Sequence, residues 1–155
     1  MIRAIDLTDP AETRRLLELQ RVSYRVEAEL IGFDGIPGLH DTAASIRNCG
    51  ETFFGWFESE QLAGAVSYKT DSGVVDIHRL VVDPGHFRRG IGERLIRHVL
   101  RTLADGTDKF LVATGTANDP AKRLYLKLGF VRIRDFEAEP NVWITEYERS
   151  ANRMS

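Results

Sequence analysis

Residues Leu80–Leu95 read LVVDPGHFRRGIGERL, and the three parts of that stretch decide how the chain folds. Leu80-Val81-Val82 is an apolar, largely β-branched run, the expected end of a buried strand. Asp83-Pro84-Gly85 breaks it, because Pro84 has no N–H for a ladder and Gly85 tolerates turn conformations. Arg88, Arg89 and Gly90-Ile91-Gly92 follow, leading into a helix with Ile91, Leu95, Ile96, Val99, Leu100 and Leu103 on one side. Free N–H groups at a helix start, glycines that admit close approach and two guanidinium groups together make a seat for phosphate. It is not a Walker loop: Gly85 and Gly90 have the spacing, but Ile91-Gly92 stand where Lys-Ser/Thr is required. Nor is it a dinucleotide fingerprint, since Leu95 occupies the place of the third glycine.

The whole chain has 155 residues and a formal net charge of −2, which predicts a single domain over 1–149 with a polar tail over 150–155. That charge gives no electrostatic footprint for nucleic acid. The lone cysteine, Cys49, predicts a reducing, cytoplasmic setting and reads as a small apolar side chain rather than a nucleophile. Asp6, Asp9 and Glu12 interrupt the start before a leader-like apolar run forms, and no stretch approaches the ~20 apolar residues of a membrane span. No metal is expected.

Outward from the central stretch, hydrophobic period and turn residues divide the chain. Ile2–Leu7 alternates as a strand, and Thr8 or Asp9 caps a helix running to about Leu30, with Pro10 at its first position. A glycine-rich loop carrying Phe33 and Asp34 precedes a short helix over Asp41–Cys49. Thr52–Ser59, Leu62–Lys69 and Val74–Val82 form an antiparallel meander feeding the phosphate seat. Beyond the Gly90 helix come a buried strand Lys109–Thr114, a helix from about Ala121 to Leu128 ended by Gly129, and strands Phe130–Glu137 and Val142–Glu148. The order β-α-α-β-β-β-α-β-α-β-β predicts an α/β (α+β) domain, a mixed and mostly antiparallel sheet flanked by helices.

Leu80, Val82, Pro84, Gly90 and Gly92 match, in order and spacing, the acyl-CoA loop of the GCN5-related N-acetyltransferases. One position departs: Phe87 stands where glutamine or arginine is usual, with the cations moved to Arg88 and Arg89. Asn118, Ala121, Leu124, Tyr125, Leu128, Gly129 and Phe130 resemble a second motif of the same family almost position for position. The element order is also that of the family, so the resemblance covers nearly the whole chain.

The resemblance implies an N-acetyltransferase fold and transfer of an acetyl group from acetyl-CoA to a primary amine within a ternary complex. It places the pantetheine arm along the free edge of Leu80, Val81 and Val82, and the pyrophosphate at Phe87, Arg88, Arg89, Gly90, Ile91 and Gly92. Arg123 is a candidate for the adenosine 3′-phosphate, and Asn118 for the pantetheine or a water. The chemistry needs a deprotonated amine, a stabilised oxyanion and a proton for the departing thiolate. Tyr125 occupies the family position that donates to the sulfur, and a backbone N–H near Val82 that of the oxyanion donor. His78 resembles a histidine of the arylalkylamine N-acetyltransferases, and an imidazole there can relay the amine proton. Asp76 stands where a second histidine of those enzymes sits, raises the basicity of His78 and is expected on the substrate's side. Strict alternation sets Asp76, His78 and Leu80 on one face of their strand.

For the acceptor, Tyr24, Glu27, Phe33 and Asp34, with Glu29 and the hairpin aromatics Phe54 and Trp56, combine carboxylates and rings that attract an ammonium group. Glu27 and Glu29, two apart on a helix, do not share a face. A small-molecule or a peptide amine fits equally, and a homodimer through the C-terminal strands is a further expectation. Two other readings keep the same fold: an acyl-CoA-binding sensor without turnover, and an interaction module that need not bind acetyl-CoA.

Overall fold

The computed structural model describes residues 1–32, 41–86 and 89–151. The expected loop residues Phe33 and Asp34, and Phe87 and Arg88 of the phosphate seat, lie outside them. Seven strands form one sheet: β1 (Ile2–Ala4), β2 (Thr52–Glu58), β3 (Gln61–Asp71), β4 (Val74–Val82), β5 (Lys109–Gly115), β6 (Val131–Glu139) and β7 (Val142–Ser150). Four helices flank it: α1 (Pro10–Ile31), α2 (Ala43–Arg47), α3 (Ile91–Thr102) and α4 (Asp119–Lys127). The strand order is β1-β2-β3-β4-β5-β7-β6, with β4 and β5 the parallel pair.

The differences from the sequence-based boundaries have local causes. β1 stops at Ala4 rather than Leu7, because Asp6 takes both the N–H and the hydroxyl of Thr8 and turns the chain. Asp9 caps α1 through the N–H of Ala11, while Glu12 pairs with Arg3 instead of closing a capping box. Val22, an apolar residue of α1, is exposed. Phe130 is buried under the end of α4, its N–H donating to the Tyr125 carbonyl, so β6 starts one residue later than expected. β7 continues to Ser150, which pairs with Lys109.

Apolar side chains fill both faces of the sheet. On one, α3 and α4 cover a cluster that includes Val75, Ile77, Leu95, Val99, Phe110, Tyr125 and Tyr147. On the other, α1 and α2 cover Ile5, Leu16, Ile46, Phe53, Phe57 and Val81. Cys49 packs at the edge of the second cluster, where burial pushes its thiol up.

β4 is irregular where it matters. Tyr68 pairs with Ile77 and Ser67 with Arg79, so His78 is an extra residue without a partner on β3. The bulge shifts the phase of the strand. Ile77 belongs to the α3-side cluster and Leu80 and Val82 pack against it, whereas Val81 is buried on the α1 side. The expected common face for Asp76, His78 and Leu80 is therefore corrected, because a bulge adds one residue to a period of two. Pairing of β4 with β5 also ends there: Ile77 meets Val112, and no pair follows.

Candidate active site

Beyond Ile77 and Val112, the two parallel strands separate into a gap. A cavity of about 360 Å³ opens in it, walled by Tyr24 and Glu27 of α1, Glu51 ahead of β2, and His78, Arg79 and Leu80 of β4. The opposite wall is Ala113 and Thr114 of β5, with Asn118, Ala121 and Tyr125 of α4.

Tyr125 is 4 % exposed, its ring edge-on to Phe130 at 5.9 Å and tilted against Tyr147 at 5.8 Å. Burial first, then the negative charge of Glu27, pushes its phenol well above the usual range, so the hydroxyl keeps its proton. Among the described residues it has no hydrogen-bond partner. Asn118 caps α4, accepting from the Ala121 N–H at 3.3 Å, and its amide donates to Thr114 at 3.4 Å. Tyr125 thus sits on a helix whose start is pinned at the gap.

His78 is one-third exposed, and its Nε2 lies 3.5 Å from the Asp76 carboxylate. Burial raises the Asp76 carboxyl and the neighbouring imidazole opposes that rise. Tyr24 is buried and Glu27 half-buried one turn further along α1, while Glu29 points to solvent.

The sequence reading missed the densest polar network in the site. Arg79 grips Glu51 with two bonds, Nε to Oε1 at 2.9 Å and Nη2 to Oε2 at 3.2 Å. Its Nη1 donates to Gln20 at 2.8 Å and to Asp41. Ser67 donates to Glu51, and Ser45 to Asp41 at 2.7 Å. Burial works to raise both carboxyls, but the hydrogen bonds and the guanidinium outweigh it and hold them below the usual range. The arginine ties α1, the start of α2, β2 and β3 to the strand that carries His78. The one sequence signal was an arginine directly ahead of an apolar run, in IHRLVV.

The hairpin aromatics do not join this cavity. Phe54 and Trp56 lie on the α3 side of the sheet, where Phe54 meets His98 edge-on at 4.6 Å and Arg94 lies over Trp56 at 5.3 Å. Pairing in β2 explains this: Phe53 and Phe57 took the α1 side, so the residues next to them point the other way.

At the start of α3, Gly90 adopts φ 74°, a left-handed conformation that favours glycine. Among the described residues no side chain caps the helix, and the Arg94 N–H is bonded to Gly90, which leaves the N–H groups of Ile91, Gly92 and Glu93 without a described partner and available to an anion. The Ile91 side chain is buried in the core and Arg123 is exposed. Arg89, one of the two expected phosphate cations, pairs with Glu58 at 3.0 Å.

The solved structure of the ribosomal-protein-S18-alanine N-acetyltransferase from Escherichia coli superposes with a TM-score of 0.78, covering 100 % of this chain and 96 % of that one at 13 % identity. An aminoglycoside 6′-N-acetyltransferase solved with coenzyme A gives 0.76, covering 100 % and 99 %, at 14 % identity. These likenesses establish the fold. In sequence, the chain is 33 % identical to the Bacillus subtilis (strain 168) protein YqkA, over 95 % of this chain and 43 % of that protein. It is 40 % identical to the N-alpha-acetyltransferase RimI of Mycobacterium tuberculosis, over 37 % of this chain and 35 % of RimI. The chain thus spans about half the length, or less, of these two relatives. The model of the acetyltransferase (GNAT) family matches residues 14–130, three-quarters of the sequence. The chain belongs to the acetyltransferase (GNAT) family.

Proposed function

We propose that the chain transfers an acetyl group from acetyl-CoA to a primary amine. One observation carries the reading: a buried, protonated Tyr125 faces a gap between two parallel strands that leads to an uncapped helix start. Membership of the family supports it, as do the N-acetyltransferase names of RimI and of the similar structures.

The residues present fit acetyl-CoA. A Cβ built on Gly92 would meet Leu80, Val82 and Leu124 at 3.6, 3.7 and 3.8 Å, ordinary contact distances. The protein's own packing therefore does not demand glycine there, whereas close approach of a ligand to the helix start does. Gly90, Ile91 and Gly92 would hold the pyrophosphate through backbone N–H groups, and Leu80 and Val82 offer backbone on the open side of β4 to the pantetheine arm. When bound, acetyl-CoA supplies the reactive thioester. Tyr125 gives a proton to the departing sulfur, and His78, partnered by Asp76 and in contact with solvent, passes the amine's proton to water. Tyr24 and Glu27 line the acceptor's side.

The test is incubation with acetyl-CoA and an amine panel, following free thiol and identifying the product by mass. Acetyl-CoA should raise the melting temperature and thiol should appear with an acetylated amine. Stabilisation without thiol release across the panel would favour a sensor; no stabilisation at all would favour an interaction module.

A further inference from the structure

Among the carboxylates that line or buttress the cavity, one is treated differently from the rest. Glu51 and Asp41 are saturated by Arg79, Ser67, Gln20 and Ser45. Asp76 faces His78. Glu27 is half-buried and lines the cavity, yet among the described residues it accepts no hydrogen bond and has no ion pair. A carboxylate withdrawn from water without a partner is costly, and no lysine or arginine among the described residues pairs with it.

Its position supplies a reason. Glu27 follows Tyr24 by one turn of α1, and both side chains face the gap, while Tyr125 faces it from α4. The charge of Glu27 is felt by both phenols, so it stands near the tyrosine that faces the thioester's place. A proton donor and a proton acceptor with no partner among the described residues line the same gap.

We propose that Glu27 is a catalytic residue, the base that takes the proton from the attacking amine. This rests on the N-acetyltransferase reading. As the nitrogen lone pair forms the C–N bond at the acetyl carbon, the C–S bond breaks. The N–H proton goes to the Glu27 carboxylate, and the Tyr125 hydroxyl protonates the sulfur. Glu27 then releases its proton through His78 to water and Tyr125 regains one, so neutral amine and thioester become amide and thiol. Burial raises the Glu27 carboxyl above the usual carboxylate range, which makes it a stronger base than a solvated glutamate. Among the described residues the other titratable or charged groups lining the cavity with it are Tyr24 on the same helix, Glu51 before β2, His78 and Arg79 on β4, and Tyr125 on α4, both phenols being neutral; Arg79 is already committed to Glu51 and Asp41.

The experiment supplies acetyl-CoA and a mixture of tyramine, spermidine and an alanine-initiated tripeptide, and takes steady-state kinetics on the member acetylated. Glu27→Gln should lower kcat by roughly 10²-fold or more, leave the acceptor KM within a few-fold, and flatten the acidic limb of kcat against pH. Its thermal stabilisation by acetyl-CoA should equal that of the wild type, and Glu27→Asp should recover part of the rate and of the limb. His78→Ala should keep the limb. A raised KM with unchanged kcat and limb in Glu27→Gln would overturn the base role and make Glu27 an ammonium anchor. A wild type that acetylates none of the probes would overturn the reading of the site and the role of Glu27 with it. A wild-type product with an unimpaired Glu27→Gln overturns Glu27 alone.

Discussion

The hydroxyl of Ser23 accepts a hydrogen bond from the backbone N–H of Val82 at 3.2 Å, across 59 residues of sequence. The next N–H, that of Asp83, donates to Ala63 on β3, so alternation points the Val82 N–H away from the sheet's paired side. A ligand that pairs with the open edge of β4 must displace Ser23.

Ser23→Ala should therefore tighten acetyl-CoA binding. A net hydrogen bond of about 0.5–1.5 kcal/mol corresponds to roughly 2- to 10-fold in affinity. Calorimetric titration of both proteins checks it. Weaker binding in the variant would instead make Ser23 part of the ligand's contact set.

Gly92 offers a cleaner separation of fold from binding than Gly90. Gly90 needs its positive φ, so a substitution there strains the backbone by about 1–2 kcal/mol whatever the ligand does. At Gly92 a methyl group meets only side chains at ordinary distances, and alanine in a helix is favoured over glycine by about 1 kcal/mol. Gly92→Ala should melt no lower than the wild type when unligated, and Gly92→Val should lose most of its stabilisation by acetyl-CoA. An undiminished thermal shift in Gly92→Val would place the phosphate elsewhere.

Much of this was legible in sequence because the signals were local. LVVDPGHFRRGIG carries strand, break and helix start within a few residues, and NDPAKRLYLKLGF carries its own cap and stop. What escaped was whatever depended on pairing between distant strands. The bulge at His78 exists only relative to Ser67 and Tyr68, so the side-chain phase beyond it was read from an unbroken period. The site of Phe54 and Trp56 depended on which alternate residues of β2 faced α1. Gln20, Asp41, Glu51 and Arg79 lie far apart in sequence, and no spacing announces a network whose members meet only in the folded sheet.

That network sets how stability depends on pH. Asp41 and Glu51 have depressed carboxyl values in the fold, so their contribution is present above the unfolded carboxylate range. It is lost as the pH falls below about 4. Arg79→Met leaves two buried carboxylates unpaired, at a cost of about 3–5 kcal/mol near neutrality. Without the guanidinium, burial raises both carboxyls, and protonating them on acidification relieves the penalty. The gap in urea midpoint between the two proteins should narrow from pH 7 to pH 4. A gap independent of pH would mean that Arg79 stabilises by packing on Phe53, not by charge.

Tyr125 carries the sharpest prediction. Its ring is held by Phe130 and Tyr147, while its hydroxyl has no partner among the described residues, so Tyr125→Phe keeps the packing and should cost less than about 1 kcal/mol of stability. Burial and the nearby charge of Glu27 raise its phenol above the usual value near ~10, so in the wild type it should impose no basic limb on the rate at lower pH. A proton given to the sulfur counts only as the C–S bond breaks, so its loss should fall on turnover and not on binding. By comparison with single oxyanion donors, kcat should drop about 10²- to 10³-fold, with acetyl-CoA affinity within a few-fold of the wild type. Kinetics of Tyr125→Phe on an acetylated amine, beside a calorimetric titration with acetyl-CoA, measure both sides of that division. Wild-type turnover under conditions where chemistry limits the rate would remove the acid role and leave the tyrosine as core. A fall in affinity that matched the fall in rate would make the hydroxyl a ground-state contact.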